Sequence, residues 1–243
     1  PTLTAVAMAL DLSRRRIYID GMSEKQQDAF CAAFRKTTRA VPVPLIPETA
    51  AQRLRNLDTR QFDATCFSPD AEVASTANNI GMDFLTWLWF FCEARGGLFK
   101  TETGAEEFAA MLEGPVVFFL EGEGAHETAL RKGMPLISRE AKTAMEGGKK
   151  LRSVKLTLAR GKESYTATVD GIDFGIRGLK LPKPETPYEP EAAFIERMSG
   201  VQTFTDAFLH LYGLFLDERA SPKTWQKTVA EIKDWIRNRP AHI

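Results

Sequence analysis

The sequence has few of the features that define whole classes of proteins. Its three cysteines, Cys31, Cys66 and Cys92, are too few and too widely spaced for a disulfide framework or a zinc site. The most apolar windows, residues 84–92 and 116–120, fall well short of the ~20 residues that a membrane-spanning helix needs. No basic-then-apolar secretory signal opens the chain. We therefore expect a reduced, cytoplasmic protein without a membrane segment.

Signatures of nucleotide and hydrolase chemistry are also missing. The sequence contains no GxGxxG, GxxxxGK[ST] or GxSxG motif. Its three histidines, His126, His210 and His242, lie far apart and form no HxxxH or HExxH pattern. Cys92 follows two phenylalanines, and burial in apolar surroundings makes a thiol inert. We therefore expect a protein that is not an enzyme and that holds no cofactor or metal ion.

The N-terminal region, residues 1–80, has a β-β-α-β pattern. Two β-prone runs separated by a polar turn predict a hairpin. Ser23 then precedes apolar residues at helical spacing, which predicts a helix over residues 22–38. The next apolar run, residues 41–46, contains two prolines, so we expect an edge strand or a strand that leads out of the sheet there.

The central region, residues 81–183, mixes helices and strands. An aromatic-rich helix opens it, apolar nearly all round and therefore buried. The strongest β signal is a basic hairpin, residues 150–159 and 164–169, joined by a turn that contains glycine. We also predict strands over 98–101, 115–121 and 174–181 and helices over 102–113, 126–132 and 138–146.

The C-terminal region, residues 184–243, begins with a proline cluster. A long helical pattern follows over residues 191–216. Ser221 and Pro222 then mark the start of a last helix, which completes a helical hairpin. The chain as a whole is predicted to be α+β, with mixed or antiparallel sheets.

Charge is unevenly distributed in a chain whose formal net charge is zero. Residues 131–183 carry 13 basic and 5 acidic side chains, net +8, while residues 1–130 are net −6 and residues 184–243 net −2. This excess predicts a phosphate-binding surface on the basic hairpin. A solvated, lysine-rich edge that prevents strand aggregation would have the same composition. The predicted phosphate contacts are Lys142, Lys149, Lys150, Arg152, Lys155, Arg160 and Lys162.

Three function classes remain open at this point. Without a recognition helix or zinc finger, DNA binding would occur through the backbone and would be salt-sensitive and independent of sequence. A metal-dependent nuclease would use carboxylates close to the basic segment. A protein-interaction module without a nucleic-acid role would use the aromatic helix, Trp225 and Trp235. The candidate nuclease carboxylates are the pairs Glu121 with Glu123 and Asp170 with Asp173.

Five stretches of the sequence resemble the recombination-associated RdgC proteins. The first hairpin ends in RRRIYIDG and is followed by a helix and by VPVPLIPE, as in the middle of that family. DFLTWLW resembles the Trp-containing helix that comes next there, and EGGKKLRSVKLTLARGKESYTATVD resembles its short helix, glycine and basic two-stranded unit. IRGLKLP is similar to its closing strand. The resemblance runs in order from about Thr4 to Ile236, and none of its motifs is diagnostic alone.

The resemblance implies a nucleoid-associated protein without catalytic activity. RdgC proteins are ring-shaped dimers that bind duplex DNA through a positively lined hole, with little sequence preference, and restrain strand exchange by RecA. For this chain the resemblance implies a cytoplasmic homodimer that binds double-stranded DNA and antagonises RecA. RdgC proteins also carry a sizeable portion before the hairpin, in or near which lies an aromatic finger that closes one dimer contact. That portion is absent here, so the chain is either a fragment or a shortened relative, and ring closure is left open.

Overall fold

A computed structural model of the chain describes residues 5–21, 23–70, 72–73, 78–101, 107–120, 126–183 and 189–240. The chain divides into two compact units, residues 1–44 and residues 45–243. The basic segment lies entirely within the second unit. The predicted regions 81–183 and 184–243 contribute side chains to one hydrophobic core in that unit.

The first unit contains a β-hairpin followed by a helix, as its sequence predicts. Strands β1 (Met8–Asp11) and β2 (Arg16–Ile19) pair antiparallel. Helix α1 (Glu24–Thr38) begins after Ser23, whose hydroxyl accepts a hydrogen bond from the Gln26 backbone N–H. The Gln26 side chain accepts one from the Ser23 backbone N–H in return. This reciprocal capping satisfies amide groups that the start of a helix leaves without partners.

The predicted edge strand over residues 41–46 is wrong. The structure forms no strand over these residues, and Val41 and Val43 are exposed. Pro42 and Pro44 have no amide hydrogen, and in a strand both would face the same neighbouring strand. They therefore cannot donate the hydrogen bonds that a β-ladder on that side needs. The β-β-α part of the predicted pattern is therefore confirmed, and its last strand is not.

The second unit contains five α-helices, two short 3-10 helices and six strands within the described residues. The α-helices are α2 (Pro47–Arg55), α3 (Ile80–Ala94), α4 (Arg139–Glu146), α5 (Pro190–Arg219) and α6 (Pro222–Asn238). The strands are β3 (Leu98–Lys100), β4 (Glu107–Phe119), β5 (Glu127–Leu130), β6 (Lys150–Arg160), β7 (Glu163–Asp170) and β8 (Ile176–Lys180).

These six strands form one antiparallel sheet. Its order is β3-β4-β6-β7-β8, and β5 pairs with the second half of β4. Helices α5 and α6 form a hairpin-like pair at the C-terminal end of the chain. The predicted α+β class, with antiparallel sheets and a C-terminal helical hairpin, is therefore confirmed.

Two segments predicted as helical are strands. Residues 107–113 belong to β4 and residues 127–130 form β5, while residues 102–106 lie outside the described residues. Both segments are rich in Ala, Leu, Met and Glu, which favour helices in isolated peptides. β4 is nevertheless hydrogen-bonded to β6 along most of its length. Pairing and packing in the sheet override the local preference.

One face of the sheet packs against the aromatic helix α3. Trp87 and Trp89 are fully buried, and the Trp89 ring lies 5.8 Å from that of Phe118 on β4. The hydroxyl of Thr86 on α3 accepts a hydrogen bond from the Leu151 N–H of β6. The prediction of a buried aromatic helix is confirmed. No helix among the described residues is long and apolar enough to cross a membrane.

Candidate nucleic-acid interface

The second face of the sheet carries mainly polar side chains, together with the exposed apolar side chain of Met111. Val154, Leu156 and Leu158 of β6 point into the core, and Lys155 and Thr157 alternate with them. Strand β7 alternates in the same way, with Thr166 and Thr168 on the side away from the core. We call this side the outer face and define it by Met111, Glu113, Lys155, Thr157, Thr166, Thr168, Arg177 and Lys180.

Strand register aligns the outer face in two rows across four strands. The first row is Glu113, Lys155, Thr168 and Arg177, and the second is Met111, Thr157, Thr166 and Lys180. Neighbouring strands are about 4.8 Å apart, so the backbone positions of Lys155 and Arg177 are separated by about 10 Å. The threonines between the cations are short, and the hydroxyls of Thr157 and Thr166 hydrogen-bond to each other at 3.0 Å.

A bulge in β8 places Arg177 and Lys180 on the same face. These residues are three apart, and strict alternation would direct them to opposite sides. Their partners on β7 are only two apart, so β8 has one extra residue at this point. Gly178 within the bulge has a φ of +62°, which glycine adopts at little cost. Arg177 and Lys180 are exposed, and the described part of the chain places no carboxylate within ion-pair distance of either.

Lys155 is paired with an acidic neighbour on the outer face. Its Nζ lies 2.7 Å from Oε2 of Glu113, the residue directly opposite on β4. The side chain of Lys155 is 31% exposed and that of Glu113 is 53% exposed. The carboxylate is therefore the more accessible member of this ion pair.

Arg152 has a similar partner at the other end of β6. Its guanidinium lies 2.9 Å from Glu127 and 3.9 Å from Asp170, and it stacks over the Phe119 ring. A bulge explains its position, because Val117 pairs with Ser153 while the next residue of β4 pairs with Leu151. Leu151, whose apolar side chain breaks the alternation in the sequence, is fully buried because of this extra residue.

Arg160 and Lys162 lie at the turn between β6 and β7. Arg160 is directly opposite Phe108, on the face of the sheet that carries the core, and its guanidinium hydrogen-bonds Glu163. This hydrogen bond lowers the pKa of the Glu163 carboxyl. Lys162 is exposed in the turn, and no described carboxylate pairs with it.

Lys150 is buried and does not reach the surface. It is 2% exposed, and its Nζ lies 2.7 Å from Oδ1 of Asp83, which is 0% exposed on α3. Burial raises the pKa of the Asp83 carboxyl, and the Lys150 ammonium opposes that rise. An ion pair in this position holds α3 to the start of β6. Lys150 therefore cannot contact phosphate in this fold.

Lys142 and Lys149 are engaged in contacts within the fold. Lys142 Nζ donates to the backbone carbonyls of Arg237 and Arg239 at 2.9 and 3.0 Å. These carbonyls are at the C-terminal end of α6, where the helix dipole favours a cation. Lys149 donates to the Thr128 hydroxyl on β5. Both lysines thus connect neighbouring elements.

The seven predicted contacts do not lie together on one surface. The structure brings Arg152 and Lys155 to the outer side of β6 and leaves Lys162 exposed at the end of the same hairpin. Lys142, Lys149, Lys150 and Arg160 lie elsewhere. Arg177 is not among the predicted contacts, because strict alternation along β8 would place it on the opposite face from Lys180. The signal that indicates it is Gly178 between two cations, since a glycine inside a strand often marks a bulge.

The candidate nuclease carboxylates do not form a metal site where they are described. Asp170 accepts a hydrogen bond from the Ile172 N–H, and Asp173 accepts one from the Gly175 N–H, so both stabilise the β7–β8 turn. Glu121 and Glu123 lie outside the described residues. Within the described ranges, no group of three or more His, Cys, Asp or Glu side chains could hold a metal ion.

The remaining candidate side chains have structural surroundings. Burial raises the pKa of the Cys92 thiol to about 12, which disfavours a nucleophilic thiolate. His210 stacks on Phe99 with ring centroids 6.0 Å apart. Trp225 is buried and donates to the Thr65 hydroxyl, and Trp235 packs edge-on against Trp89. His126 belongs to no described group of three or more candidate metal ligands, and His242 lies outside the described residues.

No protein-family model matches this chain, and no curated protein is detectably similar to it.

Proposed function

We propose that this protein binds duplex DNA through phosphate contacts made by the outer face, without reading the base sequence. The observation that carries the proposal is the alignment of Lys155, Arg177 and Lys180 on adjacent rows of one sheet face. Two of these cations have no described carboxylate partner. Arg152 and Lys162 extend the basic surface toward the two ends of β6.

The shape of the outer face favours backbone contacts. Duplex DNA carries one negative charge per ~1.7 Å of helix axis, so a patch about 10 Å wide meets several phosphates. Thr168, which lies half-buried between Lys155 and Arg177, can donate a hydrogen bond to a phosphate oxygen, as threonine does in other complexes. Thr157 is buried, and its hydroxyl is bonded to that of Thr166. The outer face is built from strands and presents no helix among the described residues that could enter the major groove, so sequence preference is expected to be small.

The resemblance to RdgC proteins supports the choice of ligand and supplies the cellular role. On that basis we propose a non-catalytic, nucleoid-associated homodimer that modulates homologous recombination by restraining RecA. The nuclease alternative has less support, because the described acidic candidates cap a turn. The alternative of a protein-interaction module has less support, because the aromatic side chains that suggest it lie in the hydrophobic core or pack against that core.

The proposal is tested by fluorescence anisotropy of a random-sequence duplex across a salt series. We expect binding that weakens steeply with salt and does not change with sequence. In the double variant Arg177→Gln/Lys180→Gln, the slope of log affinity against log salt should fall by about two, since each lost phosphate contact removes about one unit.

The matched control is Lys223→Gln/Lys227→Gln on α6. It removes the same charge from exposed positions on a different element. This control should keep the salt slope of the unmodified protein. Absence of duplex binding at low salt, or equal slopes for the two double variants, would contradict the proposal.

A further inference from the structure

Both outer cations of β6 form ion pairs with carboxylates that are more exposed than the cations. Lys155 is 31% exposed against 53% for Glu113, and Arg152 is 33% exposed against 45% for Glu127. Both acidic residues come from the net negative part of the sequence, outside the basic segment. An incoming phosphate therefore meets a negative charge beside each of these cations.

We propose that Glu113 and Glu127 are built-in competitors of phosphate, which hold the DNA affinity of the outer face below the level that its cations allow. This inference rests on the proposed function and adds a feature that limits the affinity for DNA. In each pair the competing group is the carboxylate oxygen that already contacts the cation. This oxygen belongs to Glu113 at 2.7 Å from Lys155 and to Glu127 at 2.9 Å from Arg152.

The competition follows from the geometry of the Glu113–Lys155 pair. The two residues are direct cross-strand partners, so they remain adjacent whether or not DNA is present. A phosphate that approaches Lys155 has to share the ammonium with the carboxylate and is repelled by it. Screening by water reduces both effects without removing them, because the side chains are only partly exposed.

A paired cation also contributes less to the salt dependence of binding. Affinity for DNA falls with salt because cations on the protein displace counterions from the phosphates. Lys155 and Arg152 are already neutralised locally by their carboxylates, whereas the described residues place no carboxylate beside Arg177 or Lys180. The two cations on β8 therefore dominate the salt slope, and the pairs on β6 add a weaker, exchangeable contact.

The test compares Glu113→Gln and Glu127→Gln with the unmodified protein in the duplex anisotropy assay. Each variant should bind about three- to tenfold more tightly at low salt, as expected for the loss of a charge beside a charged ligand. The salt slope should steepen by up to about one unit in Glu113→Gln, as Lys155 becomes available to phosphate. The change should be smaller in Glu127→Gln, because Asp170 remains 3.9 Å from Arg152. In a Lys155→Gln background, Glu113→Gln should have a smaller effect.

The control is Asp234→Asn on α6, which removes a carboxylate that is paired with Arg237 at 2.8 Å. If Glu113→Gln and Glu127→Gln change affinity no more than this control while Arg177→Gln/Lys180→Gln weakens binding, the inference is overturned and the proposed function stands. If the unmodified protein does not bind duplex at low salt, both the proposed function and the inference that rests on it are rejected.

Discussion

Lys150 and Lys155 lie on the same strand and have opposite surroundings. Lys150 forms a buried ion pair with Asp83 inside the core, whereas Lys155 meets Glu113 at the outer face. The sequence places both in one basic run and gives no indication of these partners, because both carboxylates come from other elements. Residue type and spacing therefore predict charge, while tertiary contacts decide whether that charge is accessible.

The buried pair gives a prediction for stability. Lys150→Met should lower the free energy of unfolding by about 3–5 kcal/mol, because it leaves Asp83 buried without its ion-pair partner. The double variant Asp83→Leu/Lys150→Met should recover most of this loss, since it removes both charges from the core. Urea denaturation monitored by tryptophan fluorescence measures both values.

An exposed ion pair supplies the comparison. Arg237→Met breaks the surface pair with Asp234 and should change stability by less than about 1 kcal/mol. If Lys150→Met costs no more than Arg237→Met, the buried pair does not have the structural role assigned to it.

At the scale of elements, strong local signals predict the structure and weak ones do not. The β6–β7 hairpin is predictable because its apolar residues alternate and Gly161 marks its turn. Helix α6 is predictable from Ser221 and Pro222. Strand β4 is not, because its Ala, Met and Leu residues suit a helix until the ladder to β6 is known. The β8 bulge is a property of the register and is visible in the sequence only as a glycine.

A backbone contact between α3 and the turn after β7 gives a prediction at this scale. A Cβ atom on Gly81 would overlap the carbonyl oxygen of Gly171, and neither backbone segment can move aside easily. Gly81→Ala should therefore destabilise the protein by about 2–3 kcal/mol or more. Gly21→Ala is the control, because a Cβ there meets nothing within 4 Å.

Thermal and urea unfolding of the two variants distinguish these outcomes. Gly21→Ala should stay within about 1 kcal/mol of the unmodified protein. Equal stability of both alanine variants would show that α3 does not approach the turn as closely as described.

At the scale of the whole molecule, the net +8 segment is a poor measure of surface charge. Asp83, Glu113 and Glu127 lie outside that segment and neutralise three of its cations in the fold. The basic hairpin itself is predictable from the sequence, as is the α+β class. The composition of the outer face is not, because it depends on which strands are neighbours. The proposed DNA surface is accordingly smaller than the basic run and includes Arg177 from β8.

Lysine footprinting tests the central claim most directly. The protein is acetylated briefly with and without saturating random-sequence duplex at low salt, and each lysine is quantified by mass spectrometry. The account predicts that duplex protects Lys155 and Lys180 severalfold, while Lys223 and Lys227 on α6 react at the same rate in both samples. Equal acetylation of Lys180 with and without bound duplex would contradict the assignment of the outer face as the DNA-binding surface.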